Sequence, residues 1–262
     1  MSKGEHAPEK RFSDRADDYA AHRPSYPDEA ISQMLRGLGT PEMLTVVDVG
    51  AGTGISSRLV AGRGPLVVAL EPNAAMREKA EQHERVIWED GTAEATGLKE
   101  GTVNLVLCAQ AFHWFDRERS LAEFRRILRP SGRLVLMWNE VDTADAFSQG
   151  YRVIADESAT DDTPRVRYAA QDDPFAGQDL FDDVRHASFG FAQRLTADGL
   201  VGRATSASYA PRSGPERREM ESALRSLHTE HAGADGVAEL RYLTVVWSAS
   251  VKGDEPLVRV GG

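Results

Sequence analysis

Apolar positions along the chain fall into short uninterrupted runs, separated by stretches in which they recur every three or four residues. Leu44 to Val49, Leu66 to Leu70, Val86 to Trp88, Val103 to Ala109 and Leu134 to Trp138 are rich in Val and Leu without polar alternation. That is the pattern of parallel strands covered on both faces. Between these runs Ile55 and Leu59 mark one helix, Asn73 is placed to cap a second over Ala74 to Ala80, and Leu121, Phe124 and Leu128 mark a third that stops at Pro130. Another helix precedes the first run. From Pro27, expected in its first turn, Ala30, Ile31, Met34, Leu35 and Leu38 share a face, and Gly37 and Gly39 close the pattern. Strand and helix in series predict a doubly wound α/β sheet.

Both ends of the chain read differently. The stretch to about Pro27 is polar, rich in Arg, Asp and Tyr, and lacks the periodicity that would anchor it in a core, so it is expected to be a mobile arm. After Trp138 the regularity weakens. Phe147, Tyr151 and Ile154 suggest a helix, and Asp156 to Asp183 is an acidic, loop-rich insertion containing Pro164 and Pro174. Val184 to Leu195 alternates as a strand, Thr196 is placed to cap a short helix, Met220, Leu224 and Leu227 share a helical face, and Glu239 to Val251 forms a last strand. The expectation is a single domain with a Rossmann-like sheet of about seven strands. Residues 1–27 would be a lid, 28–139 the binding core, and 140–262 an inserted cap with the last strands.

Composition narrows the partners. The chain has 262 residues and a formal net charge of −10, without the basic face that gives proteins affinity for a phosphate backbone, so nucleic acid is not expected. No run approaches the roughly 20 apolar residues of a membrane-spanning helix, and the first residues resemble neither a signal peptide nor a lipidation site. A cytoplasmic protein is expected. The one cysteine, Cys108, lies in an apolar run and is read as a core residue, which excludes an internal disulfide. His228 and His231 share a helical spacing, but nothing near them supports a metal site, and no metal is expected.

The chemistry concentrates where strands end. Val46 to Val49 runs into Gly50-Ala51-Gly52-Thr53-Gly54 and then a helix, a turn in which missing Cβ atoms let a ligand approach backbone beneath a helix N-terminus. Val67 to Leu70 ends in Glu71, placed to accept hydrogen bonds from ribose hydroxyls. The glycine spacing departs from the G-x-G-x-x-G of nicotinamide enzymes, and the Gly-Lys-Ser/Thr of phosphate loops is absent. No Lys or Arg lies between Asp48 and Ser57, as suits a cofactor without phosphates. S-adenosylmethionine fits that description.

These residues resemble the class I S-adenosylmethionine-dependent methyltransferases. Val47 to Gly54 is similar to the family's cofactor loop, Leu70 to Met76 to its ribose-binding strand end, Asp90 to Glu94 to its adenine-side segment, Gln110 to Phe115 to the segment after strand four, and Leu128 to Leu134 to the turn into strand five. Phe12 to Tyr19, Arg23 to Pro27 and Gln110 to Phe115 further resemble the trans-aconitate methyltransferase-like enzymes, which act on small molecules. That resemblance implies an arm folded over the cofactor, with Tyr19 and Arg23 near its amino acid end. It also implies that Gly50, Gly52 and Gly54 admit the methionyl part and that Glu71 holds the ribose. Asn73 and Met76 would flank the adenine, and Thr92, Ala93 and Glu94 would meet its edge, with Glu94 or Asp90 accepting from the exocyclic amine. Ala51, Thr53, Pro72, Gln110 and Ala111 complete the expected lining, and Asp48 would orient the loop or meet the cofactor's ammonium.

On the acceptor side, His113 is a candidate general base, or shapes the pocket with Phe112, Trp114 and Phe115. Trp114, Asn139, Arg203 and Tyr209 are candidate substrate contacts, Arg203 because a carboxylate acceptor would need a cation. Two functions remain open on the residues alone. One is methyl transfer to an O, N or C nucleophile of a metabolite, releasing S-adenosylhomocysteine. The other is a nonmethylating protein in which the bound cofactor is structural or electrostatic. The oligomeric state is left open.

Overall fold

The computed structural model describes residues 23–159, 173–207 and 209–253. Tyr19 with most of the expected lid, and the centre of the acidic insertion, lie outside the described residues. The elements in order are α1 (Asp28–Leu35), a 3-10 turn (Pro41–Met43), β1 (Thr45–Val49), α2 (Ile55–Ala61), β2 (Leu66–Leu70), α3 (Ala74–Glu78), β3 (Val86–Glu89) and β4 (Val103–Ala109). A second 3-10 turn (Phe112–Trp114) leads to α4 (Arg117–Ile127), β5 (Leu128–Val141), α5 (Ala146–Glu157), β6 (Phe181–Leu195), α6 (Ala197–Thr205), α7 (Pro215–His231) and β7 (Ala238–Val251).

The strands form one sheet in the order β3-β2-β1-β4-β5-β7-β6. The first five pair in parallel, and β7 joins antiparallel to both β5 and β6. Side-chain alternation divides the core. Val47, Val49, Val106, Cys108, Leu134 and Leu136 face one side, where Leu121, Phe124 and Ile127 of α4 cover them. Val46, Leu105, Leu107, Val135 and Met137 face the other, under Ile31 and Met34 of α1 and Val60 of α2. The Val- and Leu-rich runs are thus buried on both faces, as their lack of polar alternation requires. A third cluster, built from Phe147 and Tyr151 of α5, Leu200 and Ala204 of α6, Leu224 of α7 and Leu240 and Tyr242 of β7, forms the cap.

Several expectations shift at element ends. Pro27 is the N-cap of α1 with extended backbone, so the helix starts one residue later. Arg23 to Pro27 is anchored where no anchor was expected, because Pro24 and Tyr26 are buried and the Ser25 carbonyl accepts from Asn139 Nδ2 at 2.9 Å. α3 stops at Glu78, with Asn73 capping it through bonds to the Ala75 and Met76 amides. Leu128, expected to be helical, is instead the extended C-cap and pairs with Val103, and Pro130 disfavours helical backbone at Arg129 that follows it. β5 then regains its register through an irregularity in which Ser131 adopts a left-handed backbone. β6 begins at Phe181, ahead of the expected Val184, with a register shift around Asp183, where φ is 49°. The expected cap at Thr196 is present, its hydroxyl accepting from the Gly199 amide.

Candidate functional site

The strand order reverses direction between β1 and β4, and open α/β sheets bind ligands outside the carboxyl ends of the strands at such a point. A cleft with a volume of about 230 Å³ lies there. Its first wall is the glycine turn. Gly50 has φ 70° and packs so tightly that a Cβ would lie 2.7 Å from Ala111 Cβ, so neither its backbone nor its space admits a side chain. Gly54, the N-cap of α2, has φ 78°, and a Cβ there would meet the Trp88 ring at 2.7 Å.

Asp48 holds this turn from behind. It is buried, and its Oδ2 accepts from the Ser56 and Ser57 hydroxyls, both at 2.6 Å, tying β1 to the first turn of α2. Burial pushes its carboxyl up to about 6, against the opposing pull of the two hydroxyls. Glu71 forms the next wall. Its Oε2 accepts from the Gly52 amide at 2.9 Å and its Oε1 from the Asn73 amide at 2.9 Å, so one carboxylate joins the glycine turn to the start of α3. Each oxygen keeps a further lone pair for a ligand. Burial raises the Glu71 carboxyl, and the two amides work the other way.

The third wall is the loop carrying Gly91, Thr92, Ala93 and Glu94. It is clamped to α4 by Glu123, whose Oε1 accepts from Thr96 N at 3.0 Å and Thr96 Oγ1 at 2.6 Å, while Arg126 bridges Glu123 and the Leu98 carbonyl. Those partners hold the Glu123 carboxyl down to about 2. The fourth wall follows β4. Gln110 has φ 58°, unusual for a residue with a side chain, and is held there by a bond from its amide to the Met137 carbonyl at 2.8 Å. Its Nε2 donates to the Asn139 carbonyl at 3.3 Å. Among the described residues no Lys or Arg lines the cleft.

A family model described as a methyltransferase domain matches residues 47–136, which span β1 through most of β5. Uncharacterised methyltransferases of Mycobacterium tuberculosis and Mycobacterium bovis are 33% identical over 249 residues, covering 92% of this chain and 95% of each relative. A methyltransferase-like protein of Schizosaccharomyces pombe is 29% identical over 80% of this chain and 82% of its own length. The chain belongs to the class I S-adenosylmethionine-dependent methyltransferases. Among solved structures, one described as a candidate type II methyltransferase from Anaeromyxobacter dehalogenans superimposes with a TM-score of 0.62 at 23% identity, over 87% of this chain and 97% of that one. The YcgJ protein of a Bacillus species gives 0.52 at 16% identity, over 86% and 99%. At these identities the structures share the fold.

Gly50 and Gly52 present bare backbone, Glu71 offers unused lone pairs, and Met76, Ala93 and Phe115 give apolar surface for a ring. A lining without Lys or Arg among the described residues suits a ligand without phosphates. These residues fit S-adenosylmethionine.

Of the expected cofactor residues, Gly50, Gly52, Glu71, Pro72, Asn73, Met76, Thr92, Ala93, Glu94, Gln110 and Ala111 line the cleft together, as does Trp114 from the acceptor set. Asp48, Ala51, Thr53 and Gly54 stand behind the lining and shape the turn. Asp90 is exposed beside Arg77, outside the lining, which leaves Glu94 as the acid of this loop that lines the cleft. Glu94 Oε1 already accepts from the Asp116 amide at 2.9 Å. Gly91, Ala109 and Phe115 also line the cleft and were not singled out by sequence. Phe115 is placed by edge contacts with Phe112 and Phe124, a tertiary arrangement that spacing along the chain does not show.

On the acceptor side His113 lies beside the Trp114 ring at 4.9 Å between centroids. Burial, with the neighbouring Arg23 cation, lowers its imidazole to about 4. It is therefore neutral at pH 7 and a poor match for abstracting a proton there, where an effective base has a pKa near the working pH. Asn139 holds the fold: its Nδ2 bonds Ser25 and its Oδ1 accepts from Thr244 Oγ1 at 2.6 Å. Arg203 is buried in the cap and Tyr209 is half-buried near it. His228 and His231 each bond a backbone carbonyl, of Leu195 and Leu227, and among the described residues no cluster of His, Cys, Asp or Glu is arranged to hold a metal ion. No helix among them is long and apolar enough to cross a membrane.

Proposed function

We propose that this methyltransferase methylates a small-molecule metabolite that enters between the cofactor cleft and the cap. The observation that carries the reading is the bridge made by Glu71. It fixes the glycine turn and the start of α3 around a cleft that no described Lys or Arg lines, and each carboxylate oxygen keeps lone-pair capacity for a ribose hydroxyl. Bound there, S-adenosylmethionine supplies a methyl group already activated on a sulfonium. The chain's own part is alignment and exclusion of water. Gly50 and Gly52 let the methionyl part approach the backbone. Met76 and Phe115 hold the adenine between apolar surfaces, and Glu94 borders its edge.

Trp114 forms the rim on the side of the acceptor, and His113, neutral and packed against it, orients that rim. A nucleophile that is deprotonated at pH 7, or that loses its proton to water, suits this arrangement. The acidic surface and the resemblance of the Gln110 to Phe115 segment to small-molecule enzymes support a metabolite as acceptor. The test is formation of S-adenosylhomocysteine when a metabolite fraction below about 1 kDa, or a protein or RNA fraction, is supplied with S-adenosylmethionine. Turnover that depends on the small fraction supports the reading. Turnover only with a macromolecular fraction overturns it, and so does cofactor binding without turnover on any fraction.

A further inference from the structure

A strained residue stands at the cleft. Among the described residues other than glycine, Gln110, Ser131 and Asp183 have positive φ, and of these Gln110 alone lines the cleft. Glycine would hold the same turn with less strain, so a side chain kept there at φ 58° points to a task of its own. Asn139 settles which way the carboxamide faces. Its backbone carbonyl can only accept, so the group donating to it at 3.3 Å is Gln110 Nε2. That leaves Oε1, which bonds to nothing among the described residues, as the acceptor that Gln110 offers. The support is rigid. Asn139 Nδ2 donates to the Ser25 carbonyl at 2.9 Å, its Oδ1 accepts from the hydroxyl of fully buried Thr244 at 2.6 Å, and the Gln110 amide donates to the Met137 carbonyl at 2.8 Å.

The sheet order puts this acceptor on the side of the cleft away from the proposed ribose site. β4 lies between β1, which carries the glycine turn, and β5, while Glu71 follows β2 on the far side of β1. Gln110 and Glu71 thus follow strands two spacings apart, roughly 10 Å. The Gln110 side chain bonds at the end of β5, one strand further from Glu71. Its partner Asn139 and Trp114 of its own segment are neutral, and so is His113, whose imidazole is kept uncharged by burial. Arg23, whose charge is felt at His113, is a cation and takes no proton either. Gln110 therefore presents a fixed hydrogen-bond acceptor where none of these neighbours is suited to taking a proton at pH 7.

Resting on the methyltransferase reading above, we infer that Gln110 Oε1 accepts a hydrogen bond from the nucleophile itself, and that this nucleophile is an uncharged amino nitrogen of a small molecule. A carboxamide oxygen accepts a hydrogen bond but does not act as a base at neutral pH. A hydroxyl would have to give up its only proton to attack, whereas an amino nitrogen keeps an N–H for Gln110 and presents its lone pair at the same time. A thiolate or carboxylate has no hydrogen to donate and would set its lone pairs against Oε1, and an ammonium has no lone pair to attack with. In the transfer the nitrogen lone pair forms the new N–C bond as the S–C bond breaks, and the bonding pair leaves with sulfur. The sulfonium becomes the thioether of S-adenosylhomocysteine, and the nitrogen becomes a cation that releases one proton to water.

The test supplies the full chain with the small-metabolite fraction and with S-adenosylmethionine carrying carbon-13 in its methyl group. The chemical shift of the labelled methyl in the product identifies the atom that bears it. Nitrogen is expected, and a label on oxygen, carbon or sulfur overturns the inference. Two variants then test the residue. Gln110→Gly keeps the turn and removes the carboxamide, and is expected to lower kcat about ten-fold or more, the worth of one well-placed hydrogen bond. Its affinity for S-adenosylhomocysteine, read by calorimetry, should stay within about three-fold of the unaltered chain. Gln110→Asn tolerates the backbone and keeps a shorter carboxamide, and should turn over faster than Gln110→Gly. Full turnover in Gln110→Gly overturns the inference. So does a ten-fold or greater loss of S-adenosylhomocysteine affinity with kcat unchanged, which would make Gln110 a cofactor contact alone. If Gln110→Gly does not fold, the position of the label in the product of the unaltered chain still decides. Absence of any labelled product from the small-metabolite fraction contradicts the methyltransferase reading above, and so is distinguishable from a methyl found on the wrong atom.

Discussion

Asp48 shows how one residue's environment reverses its apparent role. By position it reads as a cofactor contact, yet its oxygen accepts from Ser56 and Ser57 and it stands behind the turn. Its folded pKa of about 6 lies above the ordinary 3.8, so the fold prefers the protonated form. The contribution to stability is full below about pH 4, is lost as pH rises to 6, and leaves a constant cost above that, at most about 3 kcal/mol for a shift of this size. Asp48→Asn should therefore gain stability relative to the unaltered chain as urea denaturation is moved from pH 4 to pH 7. A difference independent of pH contradicts the burial argument. His113 shifts the opposite way, to about 4, and is neutral throughout the working range. The pH profile of kcat should show no imidazole limb between pH 6 and 8, and His113→Asn should retain more than a tenth of turnover. A limb near pH 6.5 that vanishes in this variant would restore the base role. The sequence could propose His113 as a base from its place after β4, but burial beside Arg23 decides its proton affinity and is a tertiary fact.

At the scale of elements, the parallel strands were legible because burial on both faces leaves no alternation to misread. β2 and β4 occupy the expected Leu66 to Leu70 and Val103 to Ala109. The ends of β5 and β6 were not legible, since Ser131 and Asp183 take left-handed backbone that neither residue type advertises, and the strands resume beyond them. The Asp90 to Glu94 loop was recognisable by motif, but what holds it was not. Glu123 and Arg126 lie on the polar side of a helix whose apolar face drew the attention, and they clamp Thr96 and Leu98. Glu123→Ala removes charge-assisted bonds that stabilise by about 1.5 to 3 kcal/mol each in favourable cases. It should lower the melting temperature and weaken S-adenosylhomocysteine binding several-fold without touching the ligand. Unchanged affinity would show that the loop holds its shape without the clamp.

Across the whole molecule, the cofactor half and the cap share one sheet. Val245, Ala249 and Val251 of β7 sit in the same core cluster as Leu134, Leu136 and Trp138 of β5. A chain ending at Asn139 would expose that edge and should not fold cooperatively. A dispersed amide spectrum from residues 28–139 alone would contradict this. The sequence placed the candidate residues at the strand ends, and most of them line one cleft there, but the motifs did not reveal that Glu71 is already bonded to the turn it was expected to sit beside. That bridge is the centre of the account, because it makes the proposed ribose site and the glycine turn one unit. The most direct measurement is calorimetric titration of S-adenosylhomocysteine into the unaltered chain and Glu71→Ala, with melting curves to show that both are folded. The account predicts affinity weakened ten-fold or more in the variant. Equal affinity in two folded chains would remove Glu71, and the cleft it organises, from the cofactor site.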